Sequence, residues 1–330
     1  MFTKKHFLCA LCFLLSGYGQ AQTPSREVQP QLMAQNCKLT DYLSYYRAIL
    51  EAERLVSEGQ YEKALGIYQN SFSSYQAGFL RDYKIATQLA FYLGRTNQGF
   101  NLLKEGIAHG WDSKAMKNMK FFETIKVQSE WKNINSQYIT FRGAYFRGLR
   151  PDVRREVQQM FRKDQRKAFR ALICFTSKAQ DRYAERVFAP HSERQLKQLN
   201  EIIEAQGYPG ERLIGNTYWA SVILSHHTSI SVEYVKKDTL YPRIRDKLLK
   251  AVELGQMSPY EFARIDDWYL VVKSARQDKA YGYINQVQTN TEKQQADQLR
   301  ARIGLSSVET VKKLTGIQQK TGLIFYLPKS

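Results

Sequence analysis

The stretch GQYEKALGIY, residues 59–68, decides the fold of the first half of the chain. Gly59 favours the end of one helix, since glycine readily takes the backbone conformation found just past a helix C-terminus. The helix that follows carries an inward-facing aromatic residue, Tyr61, and a small residue, Ala64, with Tyr68 one turn later. Because a small side chain lets two helices approach closely, the stretch predicts a tightly packed pair of helices.

The helix before Gly59 and a second copy of the pair can both be read from spacing. Apolar residues recur at helical intervals ahead of Gly59; they are Tyr45, Tyr46, Ile49, Ala52 and Val56. The pattern repeats 35 positions further on, with Gly94 in the place of Gly59 and Gly99 in the place of Ala64. Thr96 then stands where the first copy has Tyr61. A period near 34 residues predicts stacked helical pairs.

Residues 38–145 therefore resemble a tetratricopeptide array with two degenerate repeats. Arrays of this kind stack helical pairs into a concave surface that binds other molecules. The resemblance implies a groove for a protein or peptide partner in the first half of the chain.

The N-terminus predicts export. Lys4 and Lys5 precede an apolar run over residues 7–15, which is too short to span a bilayer, and small residues lead up to Ala21. This order is typical of a secretory signal peptide over residues 1–21, cleaved near Ala21, and it predicts a periplasmic or extracellular protein. Residues 22–37 are expected to be a disordered leader. No later stretch is apolar enough to predict a transmembrane segment in the mature chain.

The two cysteines of the mature chain, Cys37 and Cys174, leave two interpretations open. Export permits a disulfide between them, and two separate buried thiols are the alternative. Neither has a His or Cys neighbour at metal-ligand spacing, so we predict no metal site and no cofactor.

The chain is strongly basic. Its formal charge is +18, and loss of Lys4 and Lys5 with the signal peptide leaves +16. Part of this excess lies between residues 142 and 170, where ten basic residues face three acidic ones. Such a charge favours an anionic envelope component as a partner, although the segment also reads as the solvated face of a helix. Nucleic acid is excluded as a partner because the chain is exported and lacks any recognition motif.

Capping signals predict helices across the second half, residues 150–320. In the strongest of them, Ser258-Pro259-Tyr260-Glu261, serine caps, proline takes the first helical position and glutamate reaches back to the cap. Ser192 and Ser306 predict two further helix starts in the same way. Residues 230–235 and 323–327 are candidates for one or two short strands. The predicted fold class is all-α: a short tetratricopeptide-like array followed by a helical domain.

The second half resembles a domain of unknown function found in exported bacterial proteins. The resemblance covers roughly residues 150–315 and rests on short motifs in order; they include Asp164-Gln165, the segment 202–209, Ser225-His226-His227, the segment 263–267, Tyr281-Gly282 and the segment 300–305. Three departures weaken any transfer of a site. The family has Gln-His where this chain has His226-His227, and Asp-Arg where it has Asp266-Asp267. The family also has a compact Tyr-Gly-Thr-Gln, whereas here three other residues separate Tyr281-Gly282 from Gln286. It implies no activity.

A candidate polar site follows from these residues and their chemistry. Its members are Asp164, Gln165, His226, His227, Asp266, Asp267 and Tyr281. A histidine beside carboxylates can act as a general base. Adjacent histidines diverge by about 100° on a helix, so His226 and His227 are poor joint ligands for one metal ion. We expect one histidine to reach Asp266 or Asp267, with Asp164 close to the same point.

The sequence is compatible with two functions. The first is an exported interaction or scaffold protein that binds a partner through its helical array. The alternative is an exported hydrolase-like enzyme that uses the His/Asp site. The sequence has no His-Glu-x-x-His zinc motif, no Gly-x-Ser-x-Gly elbow and no glycine-rich phosphate loop. The polar residues also fit a purely structural role, in which they bond one another and nearby helix ends.

Overall fold

A computed structural model of the protein describes residues 41–75, 77–174 and 176–327. The predicted signal peptide (1–21), the predicted leader (22–37) and Cys37 lie outside these residues, so export and cleavage stay predictions and both interpretations of Cys37 and Cys174 stay open. Across the described residues every regular element is a helix, which confirms the all-α fold class. None of these helices is long and apolar enough to cross a membrane.

The first half consists of helices joined by short turns. They are α1 (Tyr42–Ser57), α2 (Tyr61–Ser74), α3 (Leu80–Tyr92), α4 (Thr96–Ala108), α5 (Ser113–Lys117), α6 (Ser129–Ser136) and α7 (Tyr138–Arg147), with a 3-10 turn at Lys120–Phe122. α1 packs along α2, and α3 along α4. Gly59 and Gly94 separate the partners of each pair with φ of 76° and 71°. Glycine takes this left-handed backbone without a Cβ clash, so both turns form where the sequence predicts them.

The regular elements among the described residues of the second half are also helices. Its elements are α8 (Pro151–Leu172), α9 (Ser177–Tyr183), a π-helical turn (Ala184–Phe188), α10 (Ala189–Gln206), α11 (Trp219–Thr228), α12 (Val232–Lys237), α13 (Leu240–Glu253), α14 (Pro259–Lys273), α15 (Asn290–Ile303) and α16 (Val308–Thr321). α11 lies at the centre, where it packs against α8, α10 and α14.

One hydrophobic core runs through both halves. α1 packs against α13 and α16. The hydroxyl of Tyr46 on α1 donates to the carbonyl oxygens of Val252 and Met257, at 3.0 and 3.2 Å. Gly304 has φ of 80°, and a Cβ there would come within 2.5 Å of Tyr46, so its glycine is required both by conformation and by this contact. The second half therefore covers part of the surface of α1.

The two predicted strands are wrong. Residues 232–237 form α12 because Ser231 caps it: the Ser231 hydroxyl accepts a hydrogen bond from the Tyr234 amide at 3.1 Å. Residues 323–327 run without a strand partner along α3. The side-chain amide of Gln88 bonds both the N–H and the C=O of Ile324, at 2.9 and 3.0 Å. A side chain thus satisfies the backbone groups that a neighbouring strand would otherwise satisfy.

Two of the three predicted caps differ from expectation. Ser258 does cap α14, with its hydroxyl 3.1 Å from the Glu261 amide and Pro259 in the first turn. Ser307, rather than Ser306, caps α16, because the Ser306 hydroxyl instead donates to buried Glu53. Ser192 lies inside α10, which begins at Ala189. Its side chain is therefore free to bond outside its own helix.

Candidate functional site

The structure divides the predicted polar residues among separate networks. Asp164 and His226 meet in one of them, formed between α8, α10 and α11. Asp266 and Asp267 belong to another, on α14. Among the described residues neither His226 nor His227 hydrogen-bonds Asp266 or Asp267, so the expected contact between a histidine and these two carboxylates is wrong. Asp164 does lie beside a histidine, but not at a point shared with Asp266 or Asp267 as expected.

Asp164 and His226 form a buried pair. His226 Nδ1 lies 2.6 Å from Asp164 Oδ2, and the two residues are 5% and 0% exposed. Gln165 adds a hydrogen bond of 3.2 Å from Nε2 to the same carboxylate oxygen. The far atoms of the pair, Asp164 Oδ1 and His226 Nε2, have no hydrogen-bond partner although both are buried. An imidazole held by a carboxylate on one nitrogen and open on the other is the arrangement of a general base or a ligand-binding histidine.

Two further residues that sequence reasoning missed belong to the same network. His191 and Gln195 lie one turn apart on α10, and His191 Nε2 and Gln195 Oε1 are buried without partners. Phe188 packs edge-on against the rings of both His191 and His226, with centroids 6.4 and 6.1 Å away. Burial lowers the pKa of His191, while the nearby negative charge of Asp164 opposes that shift.

We call Asp164, Gln165, His191, Gln195 and His226 the open polar layer. It contains four buried polar atoms without protein partners. Such atoms are rare in folded proteins and are usually satisfied by an internal water or a small polar ligand. The π-helical turn at 184–188, next to His191, is an irregularity often found at functional sites. The layer is therefore the part of the predicted site with unused binding capacity.

His227 enters a separate contact with Ser192 and Asp238. Its Nδ1 lies 3.0 Å from Ser192 Oγ and its Nε2 lies 3.2 Å from Asp238 Oδ2. In serine hydrolases the serine meets Nε2 and the aspartate meets Nδ1, so the connectivity here is reversed. Ser192 is also 0% exposed. This triad joins α10, α11 and the start of α13, and its geometry does not suit nucleophilic attack.

Asp238 shows why this second contact is structural. Burial alone would raise the pKa of Asp238, but the close contact with His227 and the hydrogen bonds from the Leu240 and Tyr241 amides bring it below its ordinary value. The Asp238 carboxylate thus caps the first turn of α13 in addition to contacting His227. Anions at helix N-termini are stabilised in this way.

The carboxylate of Asp266 is fully occupied. Arg245 donates two hydrogen bonds to it, at 2.7 and 2.8 Å, and the hydroxyls of Tyr241 and Tyr281 each donate one at 3.1 Å. The bidentate arginine contact is a strong, directional pairing. Asp266 and Tyr281 are therefore brought together as predicted, but no position on the carboxylate is left for a ligand.

Asp267 is occupied by backbone groups. It accepts hydrogen bonds from the amides of Tyr281, Tyr283 and Ile284, at 2.7, 2.9 and 2.7 Å. These bonds hold the loop after residue 280 against α14. We call Asp266 and Asp267, with their donors, the saturated layer, and assign it a structural role.

A third cluster, which the sequence did not indicate, surrounds Tyr218. This residue is 69% exposed and has φ of 54°, a left-handed backbone that is strained for a non-glycine residue. The charged groups that act on it are Glu211, Glu261, Arg264 and Arg81. Partial desolvation of the Tyr218 hydroxyl, together with the negative charges of Glu211 and Glu261, raises the pKa of Tyr218 to about 12.

The charged groups that act on Tyr218 come from both halves of the chain. Glu211 accepts a hydrogen bond from the Leu80 amide at the start of α3, at 2.8 Å. Burial raises the pKa of Glu211 to about 7 and lowers that of Lys84 to about 8. Arg81 is held by Glu53 at 2.5 Å and stacks 4.4 Å over Tyr260.

We call Arg81, Lys84, Glu211, Tyr218, Glu261 and Arg264 the junction site. Strained backbone and shifted pKa values cluster at functional sites more often than elsewhere. No signal in the sequence marks Tyr218, because its conformation and its charged neighbours depend on how the two halves pack.

The surface cavities lie away from the open polar layer and the junction site. A surface cavity of about 300 Å³ lies between α8 and α10, and another of about 390 Å³ lies between α1 and α2. Neither contains a residue of the open polar layer or the junction site. Within the part of the chain that the structure describes, no three His, Cys, Asp or Glu side chains are placed to hold a metal ion.

Comparisons with protein-family models, curated proteins and solved structures found no match to this chain. The likeness of the second half to a domain of exported bacterial proteins thus stays a prediction, as does the tetratricopeptide likeness of the first half.

Proposed function

We propose that the protein is an exported interaction protein that binds a protein or peptide partner at the junction site. The observation that carries this proposal is Tyr218, a large aromatic side chain that is 69% exposed on a strained backbone. Folding gains nothing from exposing an aromatic ring, and the strained conformation adds a cost. Retaining both makes sense if the ring contacts a partner.

The composition of the junction site suits a peptide. Tyrosine and arginine are enriched among the residues that dominate protein–protein binding energy. The site contains basic groups, Arg81 and Lys84, and acidic groups, Glu211 and Glu261, although Arg81 is already paired with Glu53 and Asp82. A peptide carries hydrogen-bond donors, acceptors and charges of both signs, so it complements such a mixed surface better than a polyanion would.

The packing of the two halves also changes where a partner could contact the groove expected in the first half. α1 is covered by α13 and α16, so this helix is not open to a partner along its whole length. The charge of Arg81, at the start of α3, acts on the exposed Tyr218. The proposed partner would therefore contact the array and the second half together.

Site-specific photo-crosslinking tests this proposal. A benzophenone amino acid replaces Tyr218 in one variant and Tyr92, a 44% exposed tyrosine at the end of α3, in the control. In intact cells, we expect adducts of discrete mass at position 218 and none at position 92. Mass spectrometry of the purified chain should also show an N-terminus near Gln22, as export requires. Equal yields at the two positions, or none at 218, would contradict the proposal.

An exported hydrolase-like enzyme is the second candidate, favoured by the open Nε2 of His226. With Asp164 on the other nitrogen, this imidazole could accept a proton from a bound water. The 5% exposure of His226 demands a local opening before substrate could reach it. Replacement of Asp164 separates this role from a structural one, because a catalytic pair can be lost without a large change in stability.

A further inference from the structure

The outer face of α8 combines basic and apolar side chains in an unusual way. Arg162, Arg166, Phe169, Arg170 and Ile173 are all exposed and follow one another at helical spacing. Phe169 is 60% exposed and Ile173, at the C-terminal cap, is 52% exposed. We call these five residues the basic–apolar face. An exposed phenylalanine and isoleucine one turn apart form a patch that water solvates poorly.

The charge on this part of α8 is of one sign. From Gln158 to Ile173 the only acidic residue is Asp164, which is 0% exposed and bonded to His226. Five bases therefore point outward or lie at the surface without an acidic neighbour on the helix; they are Arg162, Lys163, Arg166, Lys167 and Arg170. Among the described residues none of these five forms an ion pair with a carboxylate.

The face is held rigidly. The opposite side of α8 buries Val157, Met160, Phe161 and Ala168 in the interior. The hydroxyl of Tyr183 donates to the carbonyl oxygen of Lys167 at 3.0 Å, which fixes α9 beside the face. The exposed side chains are thus presented by a packed helix that cannot rotate to hide them.

We infer that the basic–apolar face docks on an anionic phospholipid bilayer. Arginines would contact the lipid phosphates while Phe169 and Ile173 enter the boundary between headgroups and acyl chains. Helices that lie on membranes combine these two features, basic residues for anionic lipid and a few aromatic or aliphatic residues for insertion. Two apolar side chains are too few for the buried centre of a stable protein interface. The inference is independent of the junction site.

Vesicle co-sedimentation of the mature chain, beginning at Gln22, tests this inference. Vesicles contain equal amounts of phosphatidylglycerol and phosphatidylcholine, or phosphatidylcholine alone. We expect binding to the anionic vesicles and little to the neutral ones. The double variant Phe169→Ser/Ile173→Ser should bind about tenfold more weakly, because it removes the inserted side chains. The triple variant Arg162→Gln/Arg166→Gln/Arg170→Gln should also lose binding and most of its dependence on salt.

The matched control replaces two exposed apolar residues elsewhere, Val127 and Ile139, which are 74% and 78% exposed. Val127→Ser/Ile139→Ser should bind vesicles as the unaltered chain does. All these side chains are exposed, and an unchanged thermal midpoint verifies that each variant is folded. Unaltered binding by the Phe169→Ser/Ile173→Ser variant would overturn the inference, since it would mean that a highly basic chain merely adsorbs to negative charge. Absence of binding to anionic vesicles would overturn it as well.

Discussion

Asp164 and Asp266 are both 0% exposed, yet their surroundings differ in a way that matters for function. Asp266 accepts four hydrogen bonds, two of them from one arginine. Asp164 is bonded to His226 and Gln165 through a single oxygen, and its other oxygen has no partner. Burial of a carboxylate therefore does not by itself indicate a functional site. The number of unfilled hydrogen-bonding positions separates the saturated layer from the open polar layer.

The same contrast applies to the two adjacent histidines. Both ring nitrogens of His227 face a polar group, Ser192 Oγ at 3.0 Å from Nδ1 and the Asp238 carboxylate at 3.2 Å from Nε2, and the residue joins three helices. His226 is bonded only on Nδ1. Because the side chains of neighbouring helical residues diverge, one histidine can be structural while the next remains available for a ligand.

The largest effect should come from the saturated layer. Replacing Asp266 with Ala leaves Arg245 without its ion pair and removes the acceptor of two tyrosine hydroxyls. We expect a loss of roughly 3–5 kcal/mol in the free energy of unfolding, measured by urea denaturation, since breaking a buried pair strands its partner. A loss below about 1 kcal/mol would show that these bonds do not stabilise the fold and would remove the contrast with Asp164.

A smaller loss is expected in the open polar layer. Asp164→Ala removes the acceptor of the contacts from His226 and Gln165, so the free energy of unfolding should fall by about 1–3 kcal/mol if the pair is structural. A functional pair would behave differently, with little change in stability and loss of whatever activity or phenotype the protein supports. His191→Ala is the matched control on the same layer, because His191 Nε2 has no partner to lose. A loss for Asp164→Ala as large as that for Asp266→Ala would erase the distinction between the layers.

The smallest loss of stability is expected for the helix cap at Ser258, and it provides a reference for the losses at Asp266 and Asp164. Ser258 begins α14, the helix that carries both saturated carboxylates, and its hydroxyl caps the Glu261 amide. Ser258→Ala should cost about 1 kcal/mol, as the loss of a helix cap does, whereas Ser258→Asp keeps a capping oxygen and should restore the stability. Denaturation midpoints measured alongside the Asp266 and Asp164 variants provide this comparison. An unchanged midpoint for Ser258→Ala would mean that α14 is stabilised by its packing alone.

Several local features could be predicted from the sequence because they depend on neighbours within a few positions. The glycine turns at 59 and 94, the cap at Ser258 and the all-α character are of this kind. Predictions failed where a distant partner competed for the same side chain. Ser192 and Ser306 have the right chemistry for helix caps, but His227 and Glu53 bond them instead.

The candidate site shows the same limit. The sequence identified Asp164, Gln165 and His226 as residues with suitable chemistry, and folding brings them together. It also grouped them with Asp266 and Asp267, because carboxylates look alike until their donors are known. His191, Gln195 and Tyr218 were missed, since nothing in their local sequence distinguishes them from ordinary helix or loop residues.

What the sequence determined by itself is the set of helices and the supply of polar and basic groups, because helix formation depends on spacing and capping over short distances. Only the tertiary structure decided which groups are used up and which remain open. The Asp266 carboxylate is filled by donors from α13 and from the loop at Tyr281, whereas Asp164 Oδ1 and His226 Nε2 have no hydrogen-bond partner. The physical reason is that a buried polar group is satisfied by whatever packs against it, and packing joins residues far apart in the chain.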